Sequence, residues 1–186
     1  MDGIFVGPGG GRTLITPAQE ITFKVTGADG SSASVFEVVV PPGFDVGAHL
    51  HQRSEELFCV LEGELEIFAF EPERYTATDW TDWKSAAGDR PARATAGSVA
   101  FVPQGCPHAF ANRTNAPARV LFTVSPSPHH EVYFEQLAEI FAAPGPPDPE
   151  EIERLRRDYD ITQFTPLRHH RPQPGGTDHQ AMERTK

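Results

Sequence analysis

Residues 47–56, GAHLHQRSEE, place two histidines and two glutamates within ten positions. Alternate residues of a β-strand point to the same side, so His49 and His51 project together if this segment is extended. A turn at Gln52–Ser54 would let Glu56 open the next strand and return to the same region, while its neighbour Glu55 faces the other way. Two imidazoles and a carboxylate converging like this make a divalent metal site that wants one or two more ligands. His108 is the natural candidate, because it follows the turn PQGCP and opens the segment HAFANR. If that segment lies beside the first, the set becomes three nitrogens and one oxygen. Any one of these histidines alone reads more simply as a core or surface residue; the joint spacing argues for a site.

These side chains need a framework of strands. Up to about residue 125 the chain alternates short apolar runs with turn residues. The runs are ITFKVT (21–26), SVFEVVV (34–40), VGAHL (46–50), ELFCVLE (56–62), ELEIFAF (64–70), SVAFVP (98–103), HAFANR (108–113) and ARVLFTV (118–124). Many short strands with short links predict a sandwich or a barrel, and LEGEL predicts a tight hairpin at Gly63. Residues 71–96 interrupt the pattern with a long polar loop that carries both tryptophans, Trp80 and Trp83. Their apolar area predicts that the loop docks, on the barrel or on a second subunit. Cys59 reads as strand core, and Cys106 as a small buried thiol rather than a redox group.

Beyond residue 126 the periodicity becomes helical. Ser127-Pro128 predicts an N-cap and first helical position, and Tyr133, Leu137, Ile140 and Phe141 follow at helical spacing. After APGPPDP, Asp148 caps a second helix with Pro149 at its first position, and Ile152, Leu155 and Tyr159 form its apolar stripe. The expected organisation is a sandwich or barrel with an N-terminal strand over 1–126, a helical extension over 127–160 and a flexible tail over 161–186. His129, His130, His169, His170 and His179 read as scattered surface histidines. The two helices either pack on the barrel and close one end or support a dimer.

Composition narrows the partners. The 186 residues carry a formal net charge of -10, and an acidic surface repels phosphate backbones, so nucleic acid is not an expected partner. No apolar run approaches the ~18 residues that cross a bilayer, so no membrane partner is expected. The start, MDGIFVGPGG, lacks the features of a secretion signal, and two cysteines are too few for a disulfide framework. A cytoplasmic location is the expectation.

The two groups of residues resemble the paired motifs of the cupins. The first motif, G-x5-H-x-H-x4-E-x6-G, is met by Gly43, His49, His51, Glu56 and Gly63. The second, G-x5-P-x-G-x2-H-x3-N, is met by Gly97, Pro103, Gly105, His108 and Asn112. Neither departs from the pattern, and the resemblance spans about residues 20–125. It implies an all-β fold, an antiparallel jelly-roll barrel with a C-terminal α-helical extension. It further implies a divalent transition metal held by His49, His51, Glu56 and His108, with the glycines and Pro103 serving turns and Asn112 holding one by hydrogen bonds. A homodimer is the common state of such proteins and is expected here.

Three neutral imidazoles and one carboxylate suit iron, manganese, cobalt, nickel, copper or zinc. They leave a net charge of about +1 on a divalent ion, which favours an anionic chelating substrate such as an enolate or catecholate. Glu56 is then both ligand and candidate catalytic base. Phe36, Phe58, Phe110 and Phe122 fall in predicted strands and are candidates for an apolar substrate pocket. The chain is similar in layout to single-barrel flavonol dioxygenases (quercetinases) and to tailoring enzymes of aromatic polyketides. That similarity implies a metal-dependent dioxygenase that uses O2 on an enolisable aromatic, flavonol or polyketide-like small molecule. The alternatives are an oxygen-independent metal-dependent isomerase, cyclase or decarboxylase, and a non-catalytic small-molecule-binding barrel.

Overall fold

Val, Ile and Phe at every second position drive the architecture. In SVFEVVV and ARVLFTVS the buried residues alternate strictly with less buried ones, as strands with one face on a core require. The computed structural model describes residues 3–16, 18–127 and 129–169. In chain order the strands are β1 (Arg12–Ile15), β2 (Glu20–Val25), β3 (Ser34–Val40), β4 (Phe44–Asp45), β5 (His49–Leu50), β6 (Glu55–Glu62), β7 (Glu64–Ala69), β8 (Ala92–Thr95), β9 (Val99–Val102), β10 (His108–Ala111) and β11 (Ala118–Ser125). Helices α1 (His130–Ala142) and α2 (Pro149–Asp158) follow, then β12 (Thr162–Gln163) and β13 (Arg168–His169).

The strands form two antiparallel sheets. One runs β1-β2-β3-β11-β6-β9; in the other, β10 lies between β7, which also pairs with β8, and the broken strand β4/β5, which pairs in turn with β13 and β12. The protein is mostly β, with two short helices after the barrel. Between the sheets lies a core that includes Phe36, Phe44, Phe58, Val120 and Phe122. Phe122 faces Phe36 and Phe58 across the ladder, and its ring stacks on theirs at centroid distances of 5.7 and 5.0 Å.

Asn112 supports the turns around the barrel. Its fully buried amide donates to the carbonyls of Val40 (2.9 Å) and Ala116 (2.8 Å), and its oxygen accepts from the Thr114 backbone N–H (3.0 Å) and hydroxyl (2.7 Å). Trp80 and Trp83 dock on the barrel's own outer surface, against Phe68, Ala48, Ala109 and Ala111. The Trp80 indole donates to Asp45 (2.9 Å).

Four expectations need correction. Residues 92–95 lie inside the predicted loop but form β8, whose Ala-Arg-Ala-Thr sequence has little strand propensity and is held by pairing with β7. The first helix begins at His130, not near Ser127; Ser127 still contributes, its hydroxyl accepting from the His130 backbone N–H (3.3 Å). Cys59 is half-buried on the outward face of β6, beside the exposed Leu57 and Leu61, because Phe58 and Val60 take the inward positions. The flexible tail predicted from residue 161 contains β12 and β13 instead, paired with β5 and β4; residues 170–186 lie outside the described residues.

Gly47 shows how tightly this last segment is joined to the barrel. It has φ of +75°, and a Cβ there would run into the Thr165 carbonyl oxygen and the Gln163 side chain. Gly47→Ala is expected to cost about 2–4 kcal/mol, from strain and displaced backbone together. That is a fall of roughly 5–15 °C in Tm for a domain of this size. Gly30 has φ of +79° with open space around its Cβ position, so Gly30→Ala should cost only the left-handed penalty of about 1 kcal/mol. Thermal unfolding of the two variants checks the difference, and equal losses would contradict it.

Candidate metal centre

His49 lies in β5 directly opposite His108, the first residue of β10. After His51 the chain turns. The turn is fixed by the Arg53 N–H donating to the Asp160 carboxylate (2.7 Å) and the Ser54 hydroxyl donating to the Pro126 carbonyl (2.7 Å). Glu56 then enters β6 facing inward, with Glu55 exposed on the opposite face. His49, His51, Glu56 and His108 therefore meet, all buried, with one ligand atom from each lying within 4.8 Å of the others.

Backbone carbonyls set the orientation of all three rings. His49 Nδ1 is 2.9 Å from the Gly47 carbonyl, His51 Nδ1 3.0 Å from that of Asp160, and His108 Nδ1 3.0 Å from that of Cys106. A carbonyl only accepts, so each Nδ1 carries the proton and a neutral ring turns its Nε2 lone pair to the centre. His51 Nε2 and His108 Nε2 then face Glu56 at 3.0 and 2.8 Å. Without a proton or a cation between them these are lone pairs facing lone pairs, and His51 Nε2, His108 Nε2 and Glu56 Oε2 have no hydrogen-bond partner among the described residues. Donors about 2.1 Å from one shared ion at right angles would stand ~3.0 Å apart. The donor set therefore fits a divalent cation, and the four residues form a potential metal-binding site.

The electrostatics show a proton and a cation competing for this pocket. Burial pushes the Glu56 carboxyl up, but the His51 and His108 rings beside it reverse this and hold it well below the usual carboxylate range. Burial pushes His49 down, and the two neighbouring imidazoles push it further, well below its ordinary value. Burial lowers His51 too, yet the Glu56 charge outweighs it and leaves His51 raised. Without a cation these shifts favour a proton shared between His51 and Glu56, and a metal ion binding here would displace that proton.

The centre opens on a cavity of about 90 Å³. Phe58, Phe110 and Phe122 line it; Phe36, expected among them, lies behind Phe122 in the core. The walls include two groups that the sequence reading missed. His130 is buried against His51, ring centroids 5.3 Å apart, although it reads as a surface histidine. Burial and then the His51 charge push it down to about 4. Its spacing from Tyr133, Phe134 and Leu137 places it on the apolar face of α1, a signal present in the sequence. Arg156 lines the same cavity from α2, four residues after Ile152 and so on the same helical face. Cys106 is half-buried, and burial followed by the Glu71 charge pushes its thiol up; it is not one of the converging donors.

Fold and site together define a jelly-roll barrel with a buried three-histidine, one-carboxylate centre. The chain belongs to the cupin family, whose model ("Cupin") matches residues 6–146. A search of curated proteins finds no match. Among solved structures, KdgF from Halomonas sp. is similar at 15% identity and a TM-score of 0.51, over 67% of this chain and 94% of that one. Ectoine synthase from P. lautus is similar at 14% identity and a TM-score of 0.49, over 68% and 77%. A predicted oxalate decarboxylase from Thermotoga maritima is similar at 21% identity and a TM-score of 0.45, over 57% and 79%. At these identities the likeness is one of fold. No helix among the described residues is long and apolar enough to cross a membrane.

His51→Ala and His108→Ala are each expected to lose most bound metal while keeping the β-sheet circular dichroism of the parent. Elemental analysis after gel filtration is the check, and full retention of metal in both variants would mean that the ligands are misassigned.

Proposed function

We propose that the protein is an enzyme, a metal-dependent dioxygenase acting on a compact, enolisable molecule of aromatic or polyphenol-like character. The observation that supports this most directly is a complete set of three imidazoles and one carboxylate facing an otherwise largely apolar cavity. A divalent transition ion bound there supplies a centre of net charge about +1 with room for an anionic chelating substrate and for dioxygen.

The chain's own residues do the remainder. Phe58, Phe110 and Phe122 offer flat apolar walls and exclude water, which strengthens every charge interaction inside. Glu56 sits with one carboxylate oxygen towards His51 and the other towards His108. It is the group placed to take the proton from an incoming hydroxyl. The cavity, about 90 Å³, is smaller than the roughly 300–1,000 Å³ of pockets that enclose drug-sized ligands. That size favours a substrate of one ring or less over a three-ring flavonol.

His130 favours a second reading, an oxygen-independent isomerase, cyclase or decarboxylase. A buried imidazole that is not a ligand, packed against His51, is suited to moving a proton between substrate atoms without any oxidant. Oxygen uptake separates the two. Protein loaded in turn with iron, manganese, cobalt, nickel and copper is offered catechols, hydroxy-ketones and flavonols. The expected result is uptake matching substrate loss for a one-ring compound, abolished in Glu56→Gln. Turnover without uptake would transfer the assignment to the second reading, and neither turnover nor uptake across the panel would contradict an enzymatic role.

A further inference from the structure

The helical extension gives the cavity a second polar end. Of the residues that line it, Glu56 is the one acid and Arg156 the one arginine or lysine. Glu56 belongs to the metal centre; Arg156 has no such partner inside. Its Nη1 donates outward to Glu153 (2.9 Å), while its Nε is buried with no hydrogen-bond partner among the described residues. Its side chain is only 13% exposed. A buried guanidinium N–H left unpaired costs free energy, and the edge of the fork that Glu153 does not use is the one that pairs with a carboxylate in the bidentate mode.

The surroundings lead from this edge to the metal centre. Tyr133 lines the cavity beside Arg156, whose charge and hydrogen bonding to the phenol oppose the upward push of burial on it. Next comes His130, 5.8 Å from Tyr133 between ring centroids and 5.3 Å from His51. His130 Nδ1 is also buried without a hydrogen-bond partner among the described residues. Arg156 on α2 and His130 on α1 thus each bring an enclosed, unpaired nitrogen into the wall of the cavity that the four-ligand centre shares. The Arg156–Glu153 ion pair lies towards the surface, where solvent weakens it, and among the residues lining the cavity Glu56 is the one acid.

We propose that Arg156 is a specificity-determining residue that seats a carboxylate of the substrate, so that the substrate class is an enolisable or catecholic carboxylic acid. This rests on the proposed metal-dependent function, because the other end of the same molecule meets the metal centre. The carboxylate accepts two hydrogen bonds from the edge of Arg156 that Glu153 leaves, taking the place of the Tyr133 hydroxyl there, and the molecule's apolar body lies along Phe122 and Tyr133.

Catechol and protocatechuate test this, since they share the chelating group and differ by one carboxylate. Titration calorimetry on the zinc-loaded full chain should show protocatechuate binding about tenfold more tightly or better, the value of one charge-assisted pair. Arg156→Gln should erase that preference while leaving metal content and catechol affinity within about twofold, and Arg156→Lys should restore part of it. Equal binding of the two probes by the parent, or a preference that survives in Arg156→Gln, would overturn the seat. Failure of the metal reading looks different: the protein would hold no zinc and bind neither probe as a chelate. Benzoate binding to the metal-free protein then decides about Arg156 alone. Binding lost in Arg156→Gln supports the seat, and no binding by the parent overturns it.

Discussion

Four donor atoms packed into a water-poor pocket dominate this structure. Removing an ionised carboxylate from water is expensive, and around Glu56 it takes a proton shared with the imidazoles, or a cation, to offset that cost. Those imidazoles cannot turn away, because the carbonyls of Gly47, Asp160 and Cys106 each hold one Nδ1–H. The three hydrogen bonds decide the tautomer and thereby aim three lone pairs at one point. A cation relieves the repulsion among them, and the strands on either side are the scaffold that keeps them in place.

The carbonyl that orients His51 comes from outside the barrel. Asp160 sits just after α2 with φ of +61°, and its carboxylate also caps the Arg53 N–H in the turn between His51 and Glu56. The chain then enters β12, which pairs Gln163 with His49 and Thr162 with Leu50. The helical extension therefore has two tasks. It completes the support of the ligands, and through His130 and Arg156 it supplies the polar wall of the cavity. Both tasks follow from one docking event, in which Tyr133, Leu155 and Ile161 bury their apolar surface together.

Much of this was legible in the sequence, for definite reasons. The period of two in HLH and in ELFCVLE places His49 and His51 together, turns Glu56 inward and leaves Glu55 outside, and the spacing of the second motif points to His108. The long apolar runs β3, β6 and β11 declare themselves by alternation. What was not legible depends on depth and docking. Strand periodicity says that Phe36 faces inward but not that Phe122 stands between it and the cavity. β8, β12 and β13 are too short or too polar to signal strands and exist because a partner edge is waiting for them. His130 in HHE and Arg156 in RLRRD share a helical face with apolar residues, but their polar neighbours make them read as solvated until α1 and α2 are laid against the barrel.

The most direct test of the central claim is X-ray absorption spectroscopy of the zinc- or cobalt-loaded protein, which counts the imidazoles and light-atom donors around the ion. The account predicts a single environment with three imidazoles and a carboxylate oxygen, at metal–donor distances of roughly 2.0–2.2 Å. Fewer than three imidazoles, or a sulfur neighbour, would contradict it.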